Sequence, residues 1–472
     1  RPSYPREIGP CRLSIGSGAF PRGFASLPNT SARELAFDVL LQVAVDGAYT
    51  NLVLPRALAS SGLSERDRAL ATELVYGTSR RAGELDLVIV SASGRSIDSL
   101  EVGVLTLLRM ATYQLLFLRI PDHAAVSEAV ELAKKRGLAR ASGLVNAVLR
   151  NVTRQPLAHW LAVVNDSEGV VGSHPAWIAD AIKDSLAYAG AEEELTQALE
   201  GHNEAPLVTL AHLPGLSEAV SDKTLHSPIG EVLSSGNPAS IPGVAEGRIR
   251  VQDEGSQLAA LLLTRLSPLH SDELILDMCS GPGGKTAVLG AEALQVGAHV
   301  VAWEKAPHRA ELVRDSVRDI SARNPDTVSV SAGDALTMPP PRGDVTRVLV
   351  DAPCSGIGAL RRRPESRWRK TLEDIPELVV LQQRLLQRAL DLVSPGGVVA
   401  YVTCSPVIAE THGVVDAVLD SRGDAQRMNT PEVLSSIVER PMTGVASGEA
   451  VQLWTYRHGC DDMFIQLVRK KR

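Results

Sequence analysis

From Leu274 onward, short apolar runs alternate with helical stretches, and that alternation leaves few folds open to the chain. Leu274-Ile275-Leu276 runs into a glycine-rich loop and then a helix. His299-Val300-Val301-Ala302-Trp303, Val328-Ser329-Val330 and Arg347-Val348-Leu349-Val350 follow, and Gly397-Val398-Val399-Ala400-Tyr401-Val402 comes after a long amphipathic stretch. Runs of strand length separated by helices imply a parallel, doubly wound α/β sheet. In open sheets of that kind, ligands bind beyond the carboxyl ends of the strands. Here those ends carry acids: Asp277 after the first run, Glu304 after the second, Asp334 after the third and Asp351 after the fourth. One such acid is unremarkable as a solvated strand end, but a series of them along a single sheet edge points to a binding site.

The loop after Asp277 reads Cys279-Ser280-Gly281-Pro282-Gly283-Gly284-Lys285-Thr286. Its glycines let backbone approach a ligand with no Cβ in between. Glu304, about twenty residues past the loop, occupies the place of a carboxylate that accepts from both ribose hydroxyls, and Asp334 is placed to bind an adenine amino group. Two rival loops fail on single residues. A Walker A loop needs glycine where Cys279 stands, although Gly284-Lys285-Thr286 fits its end. A dinucleotide loop counted from Gly281 needs glycine where Thr286 stands.

The remaining chain divides by pattern. Ser31 with Glu34 and Ser64 with Asp67 are helix-start signals. Apolar residues at helical spacing then continue through Leu100–Leu118 and 124–135, with Gly137 as a stop, and on to about Val164. This predicts an all-helical domain over 31–165, preceded by a Gly-, Pro-, Ser- and Arg-rich tail over 1–30, expected to be disordered. Residues 166–255 mix signals: a helix is expected after His174-Pro175 and a strand at Leu207-Val208-Thr209-Leu210, so a small α+β linker domain is expected before the α/β domain at 256–472. The five cysteines, Cys11, Cys279, Cys354, Cys404 and Cys460, are odd in number and include no C-x-x-C pair. That argues against a disulfide framework or a zinc site and for a reducing, cytoplasmic setting. No apolar run approaches the roughly 18 residues of a membrane span. The formal net charge is −7, so any nucleic-acid contact must come from local basic patches.

Two short segments concentrate the chemistry. Asp351-Ala352-Pro353-Cys354-Ser355-Gly356 and Thr403-Cys404-Ser405-Pro406 each follow an apolar strand, so both are expected at the sheet edge that holds the ligand loop. A lone cysteine reads first as a small buried apolar residue, which is the reading adopted for Cys11 and Cys460. The strand-end setting argues otherwise for Cys354 and Cys404.

On these segments, together with Asp277 through Thr286 and Val251-Gln252-Asp253-Glu254-Gly255-Ser256-Gln257, the chain resembles the Sun/Fmu (RsmB) branch of the NOP2/Sun RNA cytosine-5 methyltransferases. Its helical part, through Pro121–Val130 and Gly143–Arg150, resembles the NusB-like RNA-binding domain of that branch. The resemblance covers nearly everything after the tail and implies a Rossmann-like methyltransferase domain. It implies S-adenosylmethionine held by Cys279, Ser280, Gly281, Pro282, Gly283, Gly284 and Lys285 with Glu304, Asp334 and Asp351, assisted by Arg309. It implies further that Cys404 is the nucleophile, that Cys354 assists product release and that Asp351 lies near the cytosine N3. C5 of cytosine is a poor nucleophile; a thiolate that adds to C6 makes the ring an enamine, and C5 then attacks a methyl donor. The sequence departs from many relatives at Val407, where a histidine is expected, while Glu410 and Thr411 are retained.

The expected partner is RNA, with ribosomal RNA of the small subunit favoured by the NusB-like part; no membrane or metal partner is expected, and the protein is expected to be a monomer. Transfer RNA or another RNA is the alternative substrate. A non-catalytic RNA-binding assembly or antitermination factor is the alternative class, but such a chain should have lost Cys404, Cys354 or the glycine loop, and all are present. Arg361-Arg362-Arg363-Pro364-Glu365-Ser366-Arg367-Trp368-Arg369-Lys370, directly after the Cys354 motif, is expected to meet RNA phosphates.

Overall fold

The computed structural model describes residues 30–167, 169–217, 223–234 and 236–472. Apart from Thr30, the expected tail over 1–30, with Cys11, lies outside them. The chain gathers into two compact units. One holds residues up to Asp180 together with Leu199–Ala205 and Leu360–Lys370; the other holds Ala181–Ala198, Pro206–Ala359 and Thr371–Arg472. Residues 166–255, expected as a linker domain, thus divide between the two.

The first unit is helical: α1 (Ala32–Asp46), α2 (Thr50–Ser60), α3 (Glu65–Arg80), α4 (Ala82–Ser93), α5 (Val102–Phe117), α6 (Asp122–Lys135), α7 (Ser142–Thr153) and α8 (Leu157–Asn165). Its starts follow from the caps. The Ser31 hydroxyl accepts from the Glu34 N–H at 3.3 Å while the Ser31 N–H donates to the Glu34 carboxylate at 3.0 Å, a closed capping box. Ser64 accepts from the Asp67 N–H at 3.2 Å. After α6 the chain turns through Gly137 at φ +79°, a left-handed conformation that a side chain would oppose. One core, including Phe37, Leu74, Leu85, Leu107, Leu108 and Leu149, runs through these helices.

The Leu360–Lys370 segment narrows one expectation. Arg361 and Arg367 are buried. The Arg367 guanidinium donates to the carbonyls of Arg80 at 2.7 Å, Ser173 at 3.2 Å and His202 at 2.7 Å, and to Asn203 Oδ1 at 2.7 Å. Arg369 donates to the carbonyls of Val43, Gly47 and Ala48 at 2.7–3.0 Å. These are the groups that phosphate contact would need, and they are committed to backbone carbonyls of the same unit, including those where α1 ends. Only Arg363 of the run is exposed, the other members being buried or half-buried. Arg367 and Arg369 are therefore internal mortar of this unit, while Arg362, Arg363 and Lys370 keep partial or full access to solvent.

The second unit is built on a nine-stranded sheet. Its strands are β1 (Leu274–Asp277), β2 (His299–Glu304), β3 (Val328–Ala332), β4 (Val345–Asp351), β5 (Val398–Thr403), β6 (Ala425–Arg427), β7 (Ala446–Ser447), β8 (Ala450–Leu453) and β9 (Met463–Lys470). Their order is β7-β8-β9-β5-β4-β1-β2-β3, with β6 also paired to β9. The pairs from β5 through β3 are parallel, and β9 joins β5 antiparallel with Val402 opposite Ile465. The sheet is therefore mixed, with the antiparallel side formed by residues beyond the last strand expected from sequence. Side chains alternate between faces as strand geometry requires. Ile275, Leu349, Ala400 and Val402 pack with helices Glu254–Arg265 and Gly284–Val296. Leu276, Val348, Val350, Val399 and Tyr401 pack with helix Ile375–Leu392. Apolar cover on both faces is why these strands read as unbroken apolar runs.

A smaller antiparallel sheet, Thr209–His212 between Gly230–Val232 and Ile249–Val251, belongs to the same unit. The expected strand at Leu207–Leu210 begins two residues later. The Val251–Gln257 motif explains the attachment. Asp253 caps helix Glu254–Arg265 through the Gly255 N–H at 3.0 Å, Glu254 accepts from the His226 and Ser227 N–H groups at 2.7 and 2.6 Å, and Gln257 donates to Leu210 O at 3.3 Å. Among the described residues no helix is long and apolar enough to cross a membrane.

Candidate active site

All the strand-end residues singled out from sequence lie in the sheet unit, and β1, β4 and β5, which carry Asp277, Asp351 and Cys404 at or just beyond their ends, are adjacent in the sheet. Parallel pairing fixes that: Val402 sits opposite Asp351, and Asp277 opposite Leu349.

The loop from Cys279 to Gly283 is held at both sides. Ser280 donates through its N–H and its hydroxyl to Trp303 O, each at 2.9 Å. The Gly281 N–H donates to Glu304 Oε2 at 2.9 Å, and Arg309 donates to Gly281 O at 2.6 Å. A Cβ on Gly281 would collide with the Glu304 carboxylate and crowd the Arg309 guanidinium. Gly283, at φ +107°, starts helix Gly284–Val296 with its back against Ser316, whose hydroxyl donates to Pro282 O at 3.0 Å. Glu304 is buried, and its Oε1 takes the Ala306 N–H at 2.9 Å. Its position is therefore set by backbone donors, which leave lone pairs for further hydroxyl donors.

Asp277 is buried; its Oδ2 accepts from the Thr286 hydroxyl at 2.8 Å, and its Oδ1 has no partner. Burial pushes this carboxyl up to about 7, with the Asp351 charge adding to the effect and the Thr286 bond opposing it. Burial, with the charges of Asp277, Asp351 and Glu304, drives the Cys279 thiol far above its ordinary range, so Cys279 is a neutral lining group. Asp334, just past β3, accepts from the Leu336 N–H at 3.0 Å and pairs with Lys305 at 3.0 Å; those bonds hold its carboxyl below the usual range.

Beside this loop stand the cysteines. Cys354 Sγ and Cys404 Sγ are 3.4 Å apart. The hydrogen bond between them, then burial, then the charges of Cys404 and Glu410, push the Cys354 thiol well up. Lys285 donates to Asp351 Oδ2 at 2.7 Å. Burial works against its ammonium, but the charges of Asp351 and Cys404 outweigh it and keep Lys285 above its ordinary value. One sulfur thus sits within electrostatic reach of a lysine while the other is kept protonated.

Sequence reasoning passed over Glu410 as anything but a retained family position. It is buried, and its carboxylate accepts from the Ser355 N–H, the Ser355 hydroxyl, the Ser405 hydroxyl and the Gln382 amide at 2.5–3.0 Å. The signal was present only as serine after each cysteine. Val407, where a histidine was expected, is buried, and its N–H donates to the Ser405 hydroxyl at 3.2 Å.

The loop and its acids suit a sulfonium nucleoside: a Cβ-free cradle at Gly281, a buried carboxylate at Glu304 and an unpartnered buried oxygen on Asp277. Comparison with known proteins agrees. A family model described as 16S rRNA methyltransferase RsmB/F matches residues 263–469, and the NusB family model matches residues 30–154. A Mycobacterium tuberculosis protein carrying the bare description methyltransferase is 42% identical over 95% of this chain and 98% of its own length. The ribosomal RNA small subunit methyltransferase B of Erwinia tasmaniensis is 32% identical over 86% of this chain and 93% of its own, and that of Vibrio cholerae 33% over 84% and 91%. Among solved structures, PH0851 superposes with a TM-score of 0.72 at 20% identity, covering 93% of this chain and 98% of that one, which supports the fold.

Proposed function

The chain belongs to the RsmB/F family of S-adenosylmethionine-dependent RNA methyltransferases, with an N-terminal NusB-like domain, and on that premise we propose that it methylates C5 of a cytosine in 16S ribosomal RNA through a covalent bond from Cys404 to C6. The observation that carries the reading is the 3.4 Å sulfur pair at the ends of β4 and β5, beside a lysine–aspartate pair. The cofactor would be held by Cys279 through Lys285, Glu304, Arg309, Asp334 and Asp351; when bound, it supplies an electrophilic methyl group.

The chain's own groups divide the remaining work. The Cys404 thiolate adds to C6. Asp351, bonded to the Lys285 ammonium, delivers the proton of that pair to N3 as the thiolate adds, and C5 becomes nucleophilic. After methyl transfer, C5 carries one proton too many. Two of the causes that keep Cys354 protonated, the hydrogen bond to Cys404 and the charge of Cys404, belong to the thiolate form of that sulfur. They vanish once the sulfur is bonded to carbon, so Cys354 can give its own proton to solvent and, as thiolate, take the one on C5. The C6–S bond breaks as the C5=C6 double bond returns, Cys404 leaves as thiolate, and the N3 proton goes back to the Lys285–Asp351 pair.

The test is incubation of the protein with methyl-labelled S-adenosylmethionine and 16S ribosomal RNA lacking the modification, followed by nucleoside analysis and bisulfite mapping. Label in 5-methylcytidine at one position is expected. Label in another nucleoside, or in transfer RNA alone, would overturn the assignment.

A further inference from the structure

We propose that Glu410 is the positioning residue that sets the spacing of the two reactive sulfurs, by binding the residue that follows each of them; the role presumes the covalent cysteine reading above. Ser355 follows Cys354 and Ser405 follows Cys404. Their hydroxyls lie 3.0 Å apart and converge on Glu410 Oε2, at 2.5 and 2.7 Å. Glu410 Oε1 accepts from the Ser355 N–H at 2.8 Å and from Gln382 at 3.0 Å, and the same Gln382 amide donates to Pro353 O at 2.9 Å. One carboxylate therefore fixes both sides of the Cys354 loop and the turn after Cys404.

Glu410 is itself anchored through its main chain. Tyr401, on β5, donates its hydroxyl to Glu410 O at 2.7 Å. Across the same gap the Gly358 N–H donates to Cys404 O at 3.0 Å, and Gly358 O accepts from the Asp462 N–H at 2.9 Å. A Cβ on Gly358 would run into the Asp462 carbonyl, so the loop passes there only as glycine. Ser355, Ser405, Tyr401 and Glu410 are all buried. The four donors on the carboxylate are neutral, and a charge buried among neutral donors is expensive to keep. A simple packing role would be served as well by an apolar side chain. Fixing two loops from different strands to one point calls for a multidentate acceptor.

The experiment uses the full chain as Glu410→Ala, Glu410→Gln and the double variant Ser355→Ala/Ser405→Ala. Two quantities are read: the rate at which the dithiol oxidant diamide joins Cys354 to Cys404, followed by mass, and methyl transfer to 16S ribosomal RNA at saturating substrates. In Glu410→Ala, turnover should fall about 100-fold, as misplacement of reacting groups by about 1 Å does. Coupling of the sulfurs should slow about tenfold or more on the same argument, while cofactor affinity and the KM for RNA stay within about threefold. Glu410→Gln, which still accepts from the Ser355 N–H and can donate to both hydroxyls, should recover turnover to within about tenfold of the parent. If Glu410→Ala does not fold, the other two variants carry the test, and the double serine variant should show the slower coupling. Unchanged coupling and turnover in the folded variants would overturn the proposal. So would a loss confined to substrate affinity, or no recovery in Glu410→Gln. Should the parent protein prove not to methylate cytosine, the coupling rate still decides the clamp, so the two failures are distinguishable.

Discussion

The two units each bury a charged group among polar partners, and they do so to different ends. In the helical unit, the Arg367 guanidinium is met by three backbone carbonyls and an asparagine oxygen. Its Nε has no partner, and its charge acts on the buried His174, which is hydrogen-bonded to His202 at 3.2 Å. In the sheet unit, the buried Asp277 keeps one oxygen without a partner, and its neighbours are thiols, a lysine and further acids. Each of the two charges thus leaves one polar atom unmatched, and the four bonds of Arg367 tie together Arg80, Ser173, His202 and Asn203. Asp277 stands instead at the carboxyl edge of a parallel sheet, the place where ligands bind in open α/β sheets. The difference teaches that neither a buried charge nor an unmet polar atom marks a site by itself; its neighbours and its place at the sheet edge do.

The sharpest way to break this contrast is pH. The native Asp277 carboxyl titrates near about 7, whereas in an unfolded chain it would titrate near about 4. The folded protein therefore holds this proton more tightly. Its contribution to stability is full below about pH 4 and is lost as pH rises towards about 7, on the order of 4 kcal/mol for a shift of that size. Asp277→Asn keeps an acceptor for Thr286 but cannot ionise. Its thermal midpoint should fall less between pH 4 and pH 8 than that of the parent. Parallel curves would show that Asp277 is ionised in the native state without strain.

Arg367 supplies the matching test on the other side. Arg367→Ala leaves its carbonyl partners buried and unpaired, and denaturant unfolding should show a loss of about 3 kcal/mol. Cofactor affinity of the folded protein should not change. A loss of affinity with little loss of stability would reverse the roles given to the two clusters. A smaller effect is expected at Glu304. Glu304→Ala removes the acceptor for Gly281 and Ala306 and the carboxylate proposed to bind the ribose, so calorimetry should show cofactor binding weakened about tenfold to a hundredfold, each tenfold being about 1.4 kcal/mol. Equal affinity would remove the ribose assignment. The smallest effect belongs to Arg363, the exposed residue of the basic run: Arg363→Ala should shift stability by less than about 0.5 kcal/mol. A shift as large as that at Arg367 would mean that exposure does not distinguish the two arginines.

Much of the sheet was legible because its parallel strands are covered on both faces and appear as apolar runs, and the strand-end rule then located Asp277, Glu304, Asp334, Asp351 and both cysteines together. The antiparallel side was not read. β9 carries Gln466 in its middle, which breaks the apolar run; the structure buries that amide by donating to the carbonyls of Met428 and Leu467, each at 2.9 Å. The structural bonds of Arg367 and Arg369 were not legible because a string of charges looks alike whether its acceptors are phosphates or carbonyls, and the carbonyls lie as far away in sequence as Val43 and Arg80. Glu410 was unreadable for the same reason. Its importance is a meeting of residues 355, 382, 405 and 410, and no local pattern announces it.

The central claim is that two sulfurs 3.4 Å apart do different jobs, and a trapped adduct tests it most directly. Cys354→Ala, Cys404→Ala and the double variant are incubated with cofactor and 16S ribosomal RNA, then run on a denaturing gel. The account predicts a protein–RNA adduct that survives denaturation in Cys354→Ala, because Cys404 adds to C6 and is not expelled. It predicts neither adduct nor methylation in Cys404→Ala, and no adduct in the double variant. An adduct or full turnover in Cys404→Ala would contradict the account.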